Sequence, residues 1–300
     1  MIKLKYDINS IESLNLEGEK FIESSDIFIS SKRTTRTEWL YSKFNFKSDT
    51  APMLLRFDFD EGDEKVEGSI KESIADCHPK NEECIEITVD ISLIKRSSIA
   101  SIFAEIFRAS SKRRVKLNIV YTLAKFVKPE DDRLPTTDVV EPVHEMFSGW
   151  SSKPGLPVMT IVGLGYERGK AIGAVEYLES SGCFLFIPTS PESDYYDQVV
   201  EKNEDLIQLI NDQDKLEYKV LEPIQTLYQI DSLLASKKTS NKVVLLPFGP
   251  KIFYACSLLA AVANPEVAVW NACGNEKRSL EYQDREMVTY AGLACTISRF

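Results

Sequence analysis

The stretch Leu156-Pro-Val-Met-Thr-Ile-Val-Gly-Leu-Gly-Tyr-Glu-Arg-Gly-Lys-Ala-Ile-Gly-Ala-Val-Glu-Tyr-Leu178 decides the fold class. Val158–Val162 reads as a short apolar strand, Gly163–Gly169 as a glycine-rich turn, and Ala171–Leu178 as a helix, by the spacing of its apolar residues. The same alternation continues downstream. Cys183–Ile187 is the next strand, closed by Pro188, and 194–210 carries helix-like spacings. Tyr218–Leu221, Val243–Leu246 and Val267–Trp270 are further strands, separated by helices over Ile224–Leu234 and from Lys251 to about Ala263. Strands alternating with helices specify βαβ units and a mostly parallel sheet covered on both faces. The continuous apolarity of Val243–Leu246 agrees, because parallel strands are buried on both sides.

Upstream the order repeats. Ile27–Ser30, Met53–Phe57, Ile85–Ile91 and Val115–Tyr121 read as strands, with helices beginning at Glu38, over Val66–Ala75 and over Ile99–Phe107. Three motifs of this half have partners in the other. Ile27-Phe-Ile-Ser matches Met159-Thr-Ile-Val, Asp90–Lys95 matches Leu246–Lys251, and Val120-Tyr-Thr matches Val269-Trp-Asn. The expected architecture is therefore α/β, with two Rossmann-like, doubly wound units in tandem as a diverged internal duplication. The boundaries fall at residues 1–127, a Pro-rich linker at 128–157, and 158–300. We expect the two units to be related by a pseudo-twofold axis.

Bulk composition narrows the function classes. The 300 residues are 43% apolar and 27% charged, as in ordinary globular proteins, and long enough for two domains. A net charge of −10 argues against a protein that coats duplex nucleic acid or an anionic membrane. The longest nearly apolar stretch, Ile252–Ala263, is too short to span a bilayer, and Met1 leads into a polar segment without the apolar core of a secretory signal. Six dispersed cysteines, several inside apolar runs, read as reduced thiols, so a cytoplasmic protein is expected.

Open parallel sheets bind ligands outside the carboxyl ends of their strands, where helix N-termini favour anions. Gly163, Gly165 and Arg168 lie in such a turn, as do Gly249 and Lys251. Glycine lets the backbone approach a ligand, and a lysine that opens a helix opposes the helix dipole unless an anion is held there. In the first half, Arg36 follows the first strand, and Lys95 with Arg96 leads into a helix. Gathered at strand ends of an acidic chain, these cations indicate a pocket for an anionic ligand. Asp90 and Glu167 are the acid/base candidates.

The glycine spacing G-x-G-x-x-x-G is one residue longer than the dinucleotide fingerprint, and no acidic residue follows Ile187. We therefore expect no nicotinamide chemistry and no cofactor. Cys77-His-Pro with Cys84 lacks a fourth zinc ligand, so no metal is expected. Only His78 and His144 could serve a hydrolase triad, and neither lies in a strand-end turn.

The Ile85–Arg96 strand and turn, the helix and strand that follow to Tyr121, and the paired second half Val158–Trp270 resemble the CARF and SAVED families. These are Rossmann-like sensors of cyclic or linear oligonucleotides in prokaryotic immunity, and SAVED proteins resemble two fused CARF-type units. Asp90-Ile-Ser-Leu-Ile-Lys95 and Pro247-Phe-Gly-Pro-Lys251 stand where CARF domains commonly carry a Thr-Gly-Gly-Thr-Lys-like turn. The resemblance implies sensing of a nucleotide-type ligand in a defence system, with a separate effector partner, since no effector domain follows Trp270. Two other classes remain open: an enzyme acting on a nucleotide or phosphorylated sugar, and a scaffold subunit without ligand. A sensor requires a pocket without paired acid/base groups, an enzyme a carboxylate within reach of substrate, and a scaffold turns filled by side chains.

Overall fold

A computed structural model describes residues 6–16, 24–32, 34–46, 51–58, 61–128, 139–149, 154–273 and 285–299. Along the chain these form β1 (Tyr6–Ser13), β2 (Ile27–Ser31), α1 (Thr35–Tyr41), β3 (Met53–Phe57), α2 (Asp63–Asp76), β4 (Cys84–Asp90), α3 (Arg96–Ser110) and β5 (Arg114–Ala124). There follow β6 (Val139–Pro142), β7 (Val158–Gly163), α4 (Lys170–Tyr177), β8 (Gly182–Thr189), α5 (Ser193–Lys202), α6 (Glu204–Leu209) and β9 (Lys215–Lys219). The series closes with α7 (Pro223–Lys237), β10 (Lys242–Pro247), α8 (Lys251–Ala263), β11 (Ala268–Cys273) and β12 (Met287–Arg299). The chain divides into two compact units, one of Leu4–Lys125 with Ser279–Phe300, the other of Met1–Lys3 with Phe126–Arg278. Each holds one six-stranded sheet.

In the N-terminal unit the strand order is β1-β12-β5-β4-β2-β3. β3, β2, β4 and β5 run parallel, and β12 and β1 continue the sheet antiparallel. Ile85, Ile87 and Val89 of β4 alternate with polar partners and are fully buried, as are Val115, Leu117 and Ile119 of β5. α3 buries Ile99, Ile102, Phe103, Ile106 and Phe107, and its Ser97, Ser98 and Ser101 hydroxyls reach carboxylates of α2. Ser98 Oγ donates to Asp63 Oδ1 at 2.8 Å and Ser101 Oγ to Glu67 Oε1 at 3.0 Å. A separate cluster joins α1 to the sheet through Phe28, Leu40, Phe44 and Val120.

β12 departs from the sequence reading. The unit expected at 158–300 gives up its last strand, which enters the first sheet between β1 and β5. Its sequence Met287-Val-Thr-Tyr-Ala-Gly-Leu-Ala-Cys-Thr-Ile-Ser-Arg alternates weakly, because Ala291, Leu293 and Cys295 line the packed side while Ala294 opposite is also buried. The segment expected as a linker, 128–157, contributes β6, which pairs antiparallel with β11.

In the C-terminal unit the order is β6-β11-β10-β7-β8-β9, with all pairs parallel except β6 with β11. α8 is apolar all round and buried from Ile252 to Val262, as a helix enclosed by its neighbours must be. The helix expected over 194–210 is broken at Asn203. Its side-chain Nδ2 donates to Val199 O at 2.8 Å and to Gly165 O at 2.6 Å, a local bond that competes with the helical ladder.

Among the described residues Cys77, Cys84, Cys183, Cys256 and Cys295 form no disulfide. Burial pushes Cys183 up to about 11 and Cys295 up to about 12, so both are held as thiols at neutral pH, and Cys256 is also buried. Cys77 and Cys84 are only half-buried, and burial raises them less. With Ellman's reagent at pH 8 the native chain is expected to react first at Cys77 and Cys84, and at Cys183, Cys256 and Cys295 only on unfolding. Peptide mapping of the labelled protein checks this; early label at Cys295 contradicts it. Among the described residues no helix is long and apolar enough to cross a membrane.

Candidate functional site

In the C-terminal unit the strand order reverses between β7 and β10, the place where doubly wound sheets open a crevice. Here the crevice is filled by the chain itself. A Cβ added to Gly165 would lie 2.4 Å from the Phe248 carbonyl oxygen, and one at Gly249 would lie 2.7 Å from that of Leu164. The turns after β7 and β10 therefore press backbone on backbone. Gly163 is covered by the Phe253 ring, 2.4 Å from where its Cβ would stand. That ring packs with Phe186 and Tyr218, centroids 5.3 and 4.9 Å away, across the ends of β7, β8 and β9. The three glycines are thus explained by close packing within the protein. Their expected role of admitting a ligand has no counterpart in this geometry.

The charges of the same turn divide between two environments. Lys170, at the first position of α4, is buried, ion-paired to Glu167 at 2.9 Å and set over the Phe248 ring. Glu167, expected as a base, is committed to this pair. Arg168 is exposed and lines a cavity of about 320 Å³ with Gly169, Ile172, Lys202, Asn203, Asp205 and Leu206. The cavity lies at the N-terminus of α4. Gly169 caps that helix in the left-handed region (φ 76°) and no side chain closes it. Lys202 reaches the cavity from the end of α5, its side chain 9% exposed and 4.0 Å from Glu201. Asn203, bonded to Gly165 O, ties the α5–α6 junction to the turn that carries Arg168. Lys251 is half-buried at the start of α8 and does not line this cavity, where Lys202 accompanies Arg168.

In the N-terminal unit the order reverses between β2 and β4. Arg36 is buried beside it, Nε donating to Thr122 Oγ1 at 3.3 Å and Nη2 donating to Thr122 O. Thr122 N donates to Ser92 Oγ at 2.8 Å, and Ser92 donates in turn to Asp90. Asp90 is fully buried in this network. Both the Arg36 and the Asp90 side chains are buried in this network, which links β4, β5 and α1. Lys95 caps α3 and pairs with Asp63 at 3.2 Å, the same carboxylate that accepts from Ser97 and Ser98. A carboxylate of the chain thus occupies the anion position that the sequence assigned to a ligand of Lys95. Arg96 opens α3 half-buried.

Of the residues expected at the site, the structure brings Arg168 to a cavity and gives the others structural partners or places apart from it. Lys202 and Asn203 escape the sequence reading because they sit inside what reads as one continuous helix. The polar run Glu201-Lys-Asn-Glu204 across that period is the signal that marks the break. Among the described residues no group of three or more His, Cys, Asp or Glu side chains could hold a metal ion. No family model matches the chain, and no curated protein matches it.

Proposed function

We propose that the chain binds an anionic, phosphate-bearing ligand of nucleotide type in the cavity at the start of α4 and acts as a sensor that needs a separate effector. The observation that carries this reading is the meeting of Arg168 and Lys202 at a helix N-terminus that no side chain caps, in a cavity of about 320 Å³. Helix amides and two cations favour phosphate, and the volume is that of a small-ligand site. Asp205 is the one carboxylate among the lining residues, so the cavity lacks the acid/base pair of an enzyme. The resemblance to CARF and SAVED sensors supports a nucleotide signal of antiviral defence as the ligand class.

We further propose that the two units descend from one duplicated ancestor. β2, β4 and β5 hold the same places in one sheet as β7, β10 and β11 in the other, in agreement with the three matched motifs. β9 lies outside β8 as an addition.

Titration of cyclic and linear nucleotides tests the ligand. Removing one charge-assisted contact costs about 1.5–3 kcal/mol, so Arg168→Ala and Lys202→Ala are each expected to weaken binding about 10- to 150-fold. Lys251→Ala is expected to leave affinity unchanged. Unchanged affinity in both folded cavity variants removes this site. Binding of no nucleotide at all favours the scaffold reading, which the filled crevice of the C-terminal sheet supports.

A further inference from the structure

The Arg168 cavity holds charges of both signs that do not meet. Arg168 and Asp205 line it together and are both exposed, yet among the described residues neither side chain makes an ion pair or a hydrogen bond. Lys202, the second cation of the lining, stands 4.0 Å from Glu201. Asn203 accounts for the place of Asp205. Its bonds to Val199 O and Gly165 O mark the end of α5, and α6 starts afresh with Asp205 in its first turn. A carboxylate in a first turn favours the helix on its own account. Its place on the wall of a cavity with two cations is what bears on a ligand. The apolar part of the lining is Ile172 and Leu206.

This mixture selects among anionic ligands. A polyphosphate or a sugar bisphosphate, charged along its length, sets a negative group against Asp205. A ligand with one anionic end and one donor-rich end meets both signs. A volume of about 320 Å³ suits one nucleotide rather than two, and the apolar side chains suit the faces of a flat base. A carboxylate also distinguishes the bases by their donors. Guanine carries two adjacent ones, N1–H and the 2-amino group, which match the two oxygens of one carboxylate. Adenine and cytosine place a ring acceptor beside their amino group, and uracil has a single N–H between two carbonyls. Resting on the phosphate reading of this cavity, we propose that Asp205 makes it selective for a guanine nucleotide. Asp205 accepts from N1–H and the 2-amino group, while Arg168 and Lys202 hold the phosphate.

Equilibrium titration of the full chain with guanosine, inosine and adenosine 5′-monophosphates and with guanosine itself tests base and phosphate separately. The guanine nucleotide is expected to bind at least about 10-fold tighter than the inosine one, which lacks only the 2-amino group. That is the lower end for a hydrogen bond to a charged group, because Asp205 is exposed. The adenine nucleotide is expected to be the weakest of the three. In Asp205→Asn one acceptor becomes a donor, so the guanine and inosine nucleotides are expected to bind within about 3-fold of each other. The advantage of guanosine monophosphate over guanosine, which reports the phosphate contact, should persist in that variant. Arg168→Ala is expected to do the reverse, keeping the base preference and losing most of the phosphate's contribution. Equal binding of the three nucleotides, or a guanine preference that survives Asp205→Asn, overturns the guanine assignment and leaves the phosphate reading standing. Guanosine bound as tightly as its monophosphate, with a preference that Asp205→Asn removes, overturns the phosphate reading and supports Asp205 as the base contact. Saturation by none of the four overturns both.

Discussion

Phe253→Ala is expected to destabilise the C-terminal unit by about 3–5 kcal/mol, the usual cost of emptying a fully buried phenylalanine position. The ring does two things at once. It fills the aromatic cluster with Phe186 and Tyr218, and it lies on the end of β7 where Gly163 has no side chain. Gly163→Ala alone is expected to cost about 1–3 kcal/mol, because its methyl must displace that ring. The double variant should then be less damaged than the sum of the two, by about 0.5–3 kcal/mol, since alanine at 253 makes room for the new methyl. Denaturant unfolding read by hydrogen exchange at the β7 and β10 amides measures all four corners of the cycle. Strict additivity would show that the ring does not set the glycine.

Arg36→Met is expected to cost the N-terminal unit about 1.5–3 kcal/mol, the range for hydrogen bonds made by a charged group. Methionine keeps most of the apolar stem while the buried Thr122 oxygen and hydroxyl lose their donor. By contrast Lys32→Ala removes a pair with Asp58 in which both side chains are largely exposed, and should change stability by under about 1 kcal/mol. Unfolding followed by the fluorescence of Trp39, which packs on Tyr290 within the same unit, separates the two variants. If Arg36 were a ligand contact, Arg36→Met would alter nucleotide affinity and leave the unfolding midpoint where it was.

Most of the parallel strands were legible because they are short apolar runs bounded by glycine, proline or polar turns; β9, Lys-Leu-Glu-Tyr-Lys, is polar and overlaps the expected Tyr218–Leu221 only at its end. β3 coincides with the expected Met53–Phe57, and α8 ends at the expected Ala263. β1, β6 and β12 were not legible. β1 is mostly polar, β6 is four residues long, and β12 mixes small and apolar side chains on both sides. Sheet membership is also a long-range property: nothing local to Met287–Arg299 says that its partners are Tyr6–Ser13 and Arg114–Ala124. The candidate site failed in part for a similar reason. A glycine in a strand-end turn records that something comes close, whether a ligand or another loop, and the sequence alone does not distinguish Phe248 from a phosphate. Cations behave alike. Arg36, Lys95 and Arg168 look equivalent in the motif order, but Thr122 and Asp63 claim the first two through contacts distant in the chain.

The pairing of Tyr6 with Arg299 also orders events during synthesis. The segment Phe126–Arg278 supplies every strand of the second sheet and can close as soon as it leaves the ribosome. The N-terminal sheet has its four parallel strands early, but among the described residues β1 pairs only with β12 and must wait for it until the whole C-terminal unit has been made. Until then the hydrogen-bonding edge of β5 is exposed, a template for strands of other chains. The unit translated first is therefore the one finished last, and a nascent or truncated chain is most vulnerable to aggregation along β5.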